Sequence, residues 1–280
     1  MGGINMINII EILKSVVFGI IQGITEWLPI SSTGHLLLLN QFLNLNCSDD
    51  FWNMFKVVIQ FGSILAVLVL YFHKLNPFSP QKTAIQKKDT WILWSKVIIA
   101  VIPAGVAGIL FEDIIDGYLS TPFVIALALI IYGVLFIVIE GRKKSPKTSN
   151  LSDLSYKTAF LIGCFQILAL IPGTSRSGST ILGAILLGTS RTVASEFSFF
   201  LAIPVMLGAS ALKMLGFGLS FTPNEWAVLI AGTLVSFVVS IIAIKFLMDY
   251  IRKHDFKAFG YYRIVLGLIV LVYFGLMYLA

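Results

Sequence analysis

The stretch Gln22-Gly-Ile-Thr-Glu26-Trp-Leu-Pro29-Ile-Ser31-Ser32-Thr33-Gly34-His35 gathers a carboxylate, several hydroxyls and an imidazole, then runs into the apolar Leu36–Leu39. Groups of these types bind anions, ligate hard cations and move protons. At membrane depth an ionised side chain costs roughly 2.5–3.5 kcal/mol on insertion scales, so Glu26 must be paired, metal-bound or facing water. Gln22 and Glu26 are four residues apart and share one helix face. Pro29 disfavours helix at Leu28, and the chain restarts at Ser31-Ser32-Thr33-Gly34 ahead of an apolar helix. Hydroxyls and free backbone N–H groups at such a start form an anion site, with Ser31 and Thr33 as candidate ligands. His35, three residues beyond Ser32, can lie beside that hydroxyl.

A second segment repeats the device. At an offset of 144 residues, Gly19-x-x-Gln22…Ser31-x-x-Gly34 matches Gly163-x-x-Gln166…Ser175-x-x-Gly178. The copy, Pro172-Gly173-Thr174-Ser175-Arg176-Ser177-Gly178-Ser179-Thr180, adds a guanidinium, which can grip phosphate oxygens with two parallel hydrogen bonds. Gly173, Ser175, Ser177, Gly178 and Thr180 are the candidate ligands of this second start. Two hydroxyl-rich helix starts with one Arg, one Glu and one His suit a phosphate group. The competing structural roles are interhelical hydrogen bonding by Ser and Thr, helix packing by Gln22, and a Glu26–Arg176 ion pair fastening two halves together.

The elements that must hold these residues are membrane helices. The 280 residues are 58% hydrophobic and 12% charged, with a mean hydropathy of +0.92, which places the chain in the polytopic all-α membrane class. Six apolar runs are long enough to span, roughly 51–72, 91–111, 121–140, 196–217, 225–250 and 260–279. Two regions, about 7–45 and 156–190, are broken near their middles by Pro, Gly, Ser and Thr, as in re-entrant pairs of half-membrane helices. Lysines and arginines collect in the connections 73–90, 141–157 (Lys143 among them) and 251–260, which are expected to be cytoplasmic. The connection 112–120 instead carries Glu112, Asp113 and Asp116, and 218–225 carries Glu225, so these are expected outside together with both termini. One integral membrane domain, 1–280, then divides into repeats 7–140 and 156–280, each a re-entrant hairpin plus three spans. The odd number of spans inverts the second copy, an arrangement that places a site near the midplane.

Other features have plainer expectations. The net charge of +6 follows the positive-inside pattern, and no nucleic-acid module is visible. Cys47 and Cys164 lack metal-ligand spacing and suggest no disulfide framework. Before its apolar run the N-terminus has no basic region or small-residue cleavage site, so it is expected to be a retained membrane element. Lys56, Lys96, Lys213, Lys245 and Arg263 fall near span ends, where they can snorkel. The aromatic residues, including Trp27, Trp52, Trp91, Trp94 and Trp226, are expected to sit mostly at the membrane interfaces.

At Gln22…Glu26, Pro29–His35 and Pro172–Thr180 the chain resembles the bacitracin-resistance type of undecaprenyl-diphosphate phosphatase, and the resemblance covers nearly its whole length. It implies a multi-pass hydrolase of the bacterial inner membrane. Such an enzyme removes the terminal phosphate of undecaprenyl diphosphate, recycles the lipid carrier of peptidoglycan synthesis and confers bacitracin resistance. The resemblance also implies an interdigitated inverted repeat and a divalent cation; since hard cations prefer oxygen ligands, Mg2+ or Ca2+ is expected at Glu26, assisted by Gln22. Gln22 stands where many members have Glu, which lowers the negative charge available to a metal. The expected catalytic set is Glu26, Ser32, His35 and Arg176: Arg176, Ser175 and Thr180 hold the terminal phosphate, and Ser32 attacks with Glu26 or His35 taking its proton. A competing mechanism has His35 activate water. Membrane lipid and undecaprenyl diphosphate are the expected partners, and the oligomeric state stays open, a homodimer included. A transporter or lipid flippase is the main rival; the membrane acid phosphatases fit less well, because their Lys-x6-Arg-Pro signature is absent.

Overall fold

The computed structural model describes residues 8–279 except 143 and 219; Lys143 and the side chains of Glu112, Asp113 and Asp116 lie outside the described residues. The chain runs through helices α1 (Ile9–Thr25), α2 (Ser32–Phe42), α3 (Asp49–Leu70), α4 (Phe72–Leu75), α5 (Ala84–Leu119) and α6 (Pro122–Gly141). It continues through α7 (Tyr156–Ile167), a short 3₁₀ turn at Leu168–Leu170, α8 (Arg176–Leu186), α9 (Arg191–Phe217), α10 (Pro223–Lys253) and α11 (Lys257–Leu279). Among the described residues the β contribution is a single isolated bridge between Thr148 and Thr189.

Six helices are long and apolar enough to cross a membrane, Asp49–Leu70, Ala84–Phe111, Pro122–Gly141, Arg191–Phe217, Pro223–Lys253 and Lys257–Tyr278, and each overlaps one expected run to within a few residues at its ends. Their starts follow from hydroxyl caps. Ser48, Thr121 and Ser190 accept from Phe51, Val124 and Val193 N–H, while Thr83 with Gln86 and Thr222 with Glu225 form capping boxes. Pro122 and Pro223 occupy first-turn positions, where a missing N–H costs no intrahelical bond. Large apolar side chains stay exposed along one face of these helices, including Ile98, Ile102 and Ile109 of α5 and Val265, Ile269 and Val272 of α11. In water such a surface would aggregate; in lipid it is the solvent-facing side.

The two broken regions fold as pairs of short helices: α1 with α2, and α7 with α8. Each pair packs on the opposite half of the chain. α1 lies along α10, and α7 lies along α5. Small residues permit both approaches, since a Cβ at Gly19 would meet the Gly232 carbonyl oxygen and one at Gly163 the Ala100 carbonyl oxygen. Gly19 and Gly163 are the first matched positions of the 144-residue offset. Between α3 and α10 the Ser63 hydroxyl bonds those of both Ser236 and Ser240, and Ser240 also lies within hydrogen-bond distance of the Gly23 carbonyl. At the far end of α6, Arg191 holds the buried Glu140 through Nε and Nη2 at 2.9 and 2.6 Å, joining α9 to α6.

Two expectations about single residues, Trp27 and Arg263, are corrected by burial. Trp27 is fully buried rather than interfacial, its ring edge-on to Phe199. Lys96, though buried, reaches the 141–157 connection, donating to the Ser152 carbonyl at 3.1 Å. Arg263 is 0% exposed, so it does not snorkel at all. Arg263 sits near a predicted span end by residue count and Trp27 within the first broken region, but neighbouring elements cover both. Cys47 and Cys164 are free thiols.

Candidate active site

The turns that end α1 and precede α8 are conformational copies. Ser31 and Ser175 are the non-glycine residues with positive φ among those described, 71° and 73°. That backbone is costly for a residue with a Cβ and is held in place by what surrounds it. Each serine caps the helix that follows, accepting from Gly34 N at 3.4 Å and from Gly178 N at 3.1 Å. Gly173, at φ +90°, passes so close to Ile125 that a Cβ would meet its backbone oxygen at 2.5 Å. The two turns are also joined directly, Ser177 Oγ donating to the Glu26 carbonyl at 3.0 Å.

Glu26 is the hub of the junction. Its Oε1 accepts from Arg176 Nη2 at 3.0 Å, and its Oε2 accepts from Gln22 Nε2 at 2.9 Å and Ser32 Oγ at 3.2 Å. Glu26 as a whole is 6% exposed. A charge this shielded persists only with partners, and here it has a guanidinium, an amide and a hydroxyl. Arg176 is held in turn by α9: its Nη1 donates to the Ser198 carbonyl at 2.7 Å, and its guanidinium lies over Trp27 at 5.5 Å. Thr180 Oγ1 and Ser198 Oγ are 2.7 Å apart. Sequence reasoning missed Ser198; an isolated serine in an apolar span carries no signal of its own.

His35 stands apart from this hub. Its Nδ1 lies 2.7 Å from the Ser31 carbonyl and its Nε2 2.6 Å from the Tyr262 hydroxyl. A carbonyl only accepts, so in the neutral ring Nδ1 carries the proton and Nε2 accepts from Tyr262. The i to i+3 spacing allows His35 to lie beside the Ser32 hydroxyl, but the hydrogen bonds divide them: Ser31 and Tyr262 engage both ring nitrogens of His35, while Ser32 bonds Glu26. Tyr262 is 46% exposed and stacks on His35 with rings 5.6 Å apart.

The remaining predicted residues divide by exposure. Thr33 is exposed, and Ser32, Ser175 and Arg176 are half-buried. Ser31, Gly173, Ser177, Gly178 and Thr180 are buried. The Thr180 hydroxyl donates to its own helix at the Arg176 carbonyl, and the Ser177 hydroxyl serves the first turn. The structure thus brings Gln22, Glu26, Ser32 and Arg176 into one bonded cluster and assigns the buried hydroxyls to building the turns. Surface recesses lined by Glu11, Cys47 and Glu225, and by His73, Lys74 and Lys82, lie away from it.

For a cation, the donor set is oxygen throughout. Gln22 Oε1 is buried without a hydrogen-bond partner among the described residues, on the amide whose Nε2 donates to the Glu26 carboxylate. Among the described residues no group of three or more His, Cys, Asp or Glu side chains gathers at metal-binding distance. A hard ion that takes one carboxylate and completes its shell from phosphates and water fits such a set; a dedicated protein cage does not.

This geometry can be set beside known proteins. The family profile described as "Bacitracin resistance protein BacA" matches residues 15–269. The chain belongs to the BacA family. Among BacA relatives, "Undecaprenyl-diphosphatase 1" of Clostridioides difficile is 64% identical, over 96% of this chain and 98% of that protein. "Undecaprenyl-diphosphatase" of Enterococcus faecalis is 58% identical over 93% of this chain and 96% of its own, and its namesake in Acetivibrio thermocellus 57% over 95% and 98%. The BacA match takes in both turns, every residue of the Glu26 cluster and Arg263.

Proposed function

We propose that this BacA-family protein is a membrane phosphatase that hydrolyses undecaprenyl diphosphate to undecaprenyl phosphate and inorganic phosphate. The observation that carries the reading is the Glu26 carboxylate holding the Ser32 hydroxyl on one oxygen and the Arg176 guanidinium on the other. A nucleophile in contact with a base, and a fixed cation within the same cluster, are what phosphoryl transfer from an anionic substrate requires.

Ser32 Oγ attacks the terminal phosphorus while Glu26 Oε2 takes its proton. The bond from that phosphorus to the bridging oxygen breaks, undecaprenyl phosphate departs with the electron pair, and Glu26 returns the proton to it. Water then cleaves the phosphoserine by the same route, releasing phosphate and restoring Ser32. Arg176 turns its guanidinium from Glu26 toward the phosphate as charge develops there. Glu26 is preferred to His35 as the base because it touches Ser32, whereas both nitrogens of His35 are engaged elsewhere. Gln22 and Glu26 would hold Mg2+ or Ca2+, which on binding would offset the diphosphate's negative charge.

Membrane architecture is part of the same proposal. The pairs α1–α2 and α7–α8 are re-entrant, and the chain is an inverted repeat interleaved so that each pair packs on the other half. Support comes from the copied turns at Ser31 and Ser175 and from the exchanged partners α10 and α5. The positive-inside distribution supports cytoplasmic 73–90 and 251–260 connections and extracytoplasmic termini in a bacterial inner membrane. Recycling the lipid carrier would supply peptidoglycan synthesis and confer resistance to bacitracin.

The test is phosphate release from undecaprenyl diphosphate by the purified protein in detergent, with and without EDTA. Release that EDTA abolishes and added Mg2+ or Ca2+ restores is expected. No release from folded protein supplied with lipid and metal would overturn the phosphatase in favour of a transporter.

A further inference from the structure

We propose that Arg263 is a positioning residue of the phosphate site: it clamps the two turns to each other from beneath and supplies the junction's uncompensated positive charge. The proposal rests on the phosphatase reading and assigns a role to a residue outside both motifs.

Arg263 lies in α11, one residue after Tyr262, and is fully buried. Its Nη1 donates to the Pro29 carbonyl at 3.0 Å, in the first turn. Its Nη2 donates to the Gly173 and Thr174 carbonyls, both at 2.9 Å, in the second. Its Nε reaches the Leu129 carbonyl of α6 at 3.4 Å, and its guanidinium faces the Tyr132 ring at 5.4 Å. One planar fork therefore spans both halves of the candidate site, a geometry that an ammonium on a flexible stem cannot reproduce.

The charge is as informative as the geometry. Among the described residues the other two nearby charges, Glu26 and Arg176, pair with each other at 3.0 Å. Arg263 meets carbonyl oxygens and an aromatic ring and pairs with no carboxylate among the described residues. An ionisable side chain buried within a span is costly unless it is paired or serves the bound state. Carbonyl dipoles satisfy its hydrogen bonds but leave a net charge of +1 under the two helix starts. A phosphate group seated on those starts is the counter-ion that the site otherwise lacks. Gly178 ties the cation to the second start, since a Cβ there would meet Arg263 Nη1 at 3.1 Å. The glycine leaves room for the guanidinium.

The test uses two variants of the full chain in detergent, Arg263→Gln and Arg263→Lys. Binding of inorganic pyrophosphate is read as protection against thermal unfolding, and kcat and KM are read with undecaprenyl diphosphate. Arg263→Gln, where folded, is expected to bind pyrophosphate at least about tenfold more weakly than the parent. Arg263→Lys keeps the charge and loses the fork, so it is expected to bind pyrophosphate within about threefold of the parent while kcat falls at least about tenfold. It carries the test alone if Arg263→Gln does not fold. Parental pyrophosphate affinity in folded Arg263→Gln, weak pyrophosphate binding by Arg263→Lys, or parental kcat in Arg263→Lys would overturn the proposal. Failure of the parent itself to bind pyrophosphate and to release phosphate would overturn the phosphatase reading with it.

Discussion

The first turn, Glu26–His35, and the second, Leu170–Ser179, share a backbone and differ in chemistry. Ser31 and Ser175 adopt the same positive-φ conformation and cap a glycine three residues on. At matched positions, however, Glu26 faces Leu170, Ser32 faces Arg176 and His35 faces Ser179. The first turn contributes a carboxylate and a hydroxyl in contact; the second contributes the guanidinium that pairs with the carboxylate. Two turns of one backbone conformation thus carry unlike halves of one constellation. The glutamines show the same contrast. Gln22 donates to Glu26, whereas buried Gln166, with Leu170 in place of a carboxylate, has no partner for either end of its amide.

The sharpest division of labour is at Ser32 and its counterpart. Ser32→Ala is expected to lower phosphate release by about 10³-fold or more while leaving folding intact, because the nucleophile is removed and nothing else in the cluster replaces it. A phosphoserine trapped at Ser32 by acid quench would sharpen the assignment. Full turnover by the alanine variant would transfer the attack to water. The two turns should also differ in tolerance of a side chain at the position shared by Pro29 and Gly173. Gly173→Ala, strained in φ and pressed on Ile125, is expected to cost about 2–3 kcal/mol, read as a lowered Tm.

Smaller effects separate the glutamines. Gln22→Leu is expected to weaken activation by Mg2+ or Ca2+ roughly tenfold, since it removes both the amide bond to Glu26 and a candidate metal oxygen. Gln166→Leu should leave activity unchanged and raise stability by about 1 kcal/mol, because it removes a buried amide with no partners. Equal effects at the two positions would erase the distinction between the turns. The smallest change is expected at Tyr262→Phe, which frees His35 Nε2. A change of about twofold or threefold in kcat/KM, with an altered pH profile near the histidine range, would place His35 at the reacting centre. An unaltered profile would leave it as a strut between α2 and α11.

Most of this organisation was legible in the sequence because the signals were local. Apolar run length marked the six spans, hydroxyl-rich starts after proline or glycine marked the broken regions, and the i to i+4 spacing put Gln22 beside Glu26. Contacts between distant elements were not legible. Arg263 looks like any cation near a span end until α11 is packed against α6 and both turns, and Ser198 looks like any interhelical serine until Arg176 reaches it. Trp27 follows the same logic: tryptophan's interfacial preference yields where a guanidinium needs a ring beneath it. His35 shows that spacing along one helix gives direction but not partner, since Tyr262 comes from a helix more than 200 residues away.

The central claim is that the two turns form one catalytic unit through Glu26 and Arg176, and the most direct test is a double-mutant cycle of Glu26→Gln and Arg176→Gln. Phosphate release would be compared at matched amounts of folded protein. Each single variant is expected to lose about 10²-fold or more, and the double variant to be about as slow as the worse single one, as for residues that act together. Parental rates in either folded single variant, or losses that multiply in the double, would contradict the claim and leave the pair as a fastening between the halves.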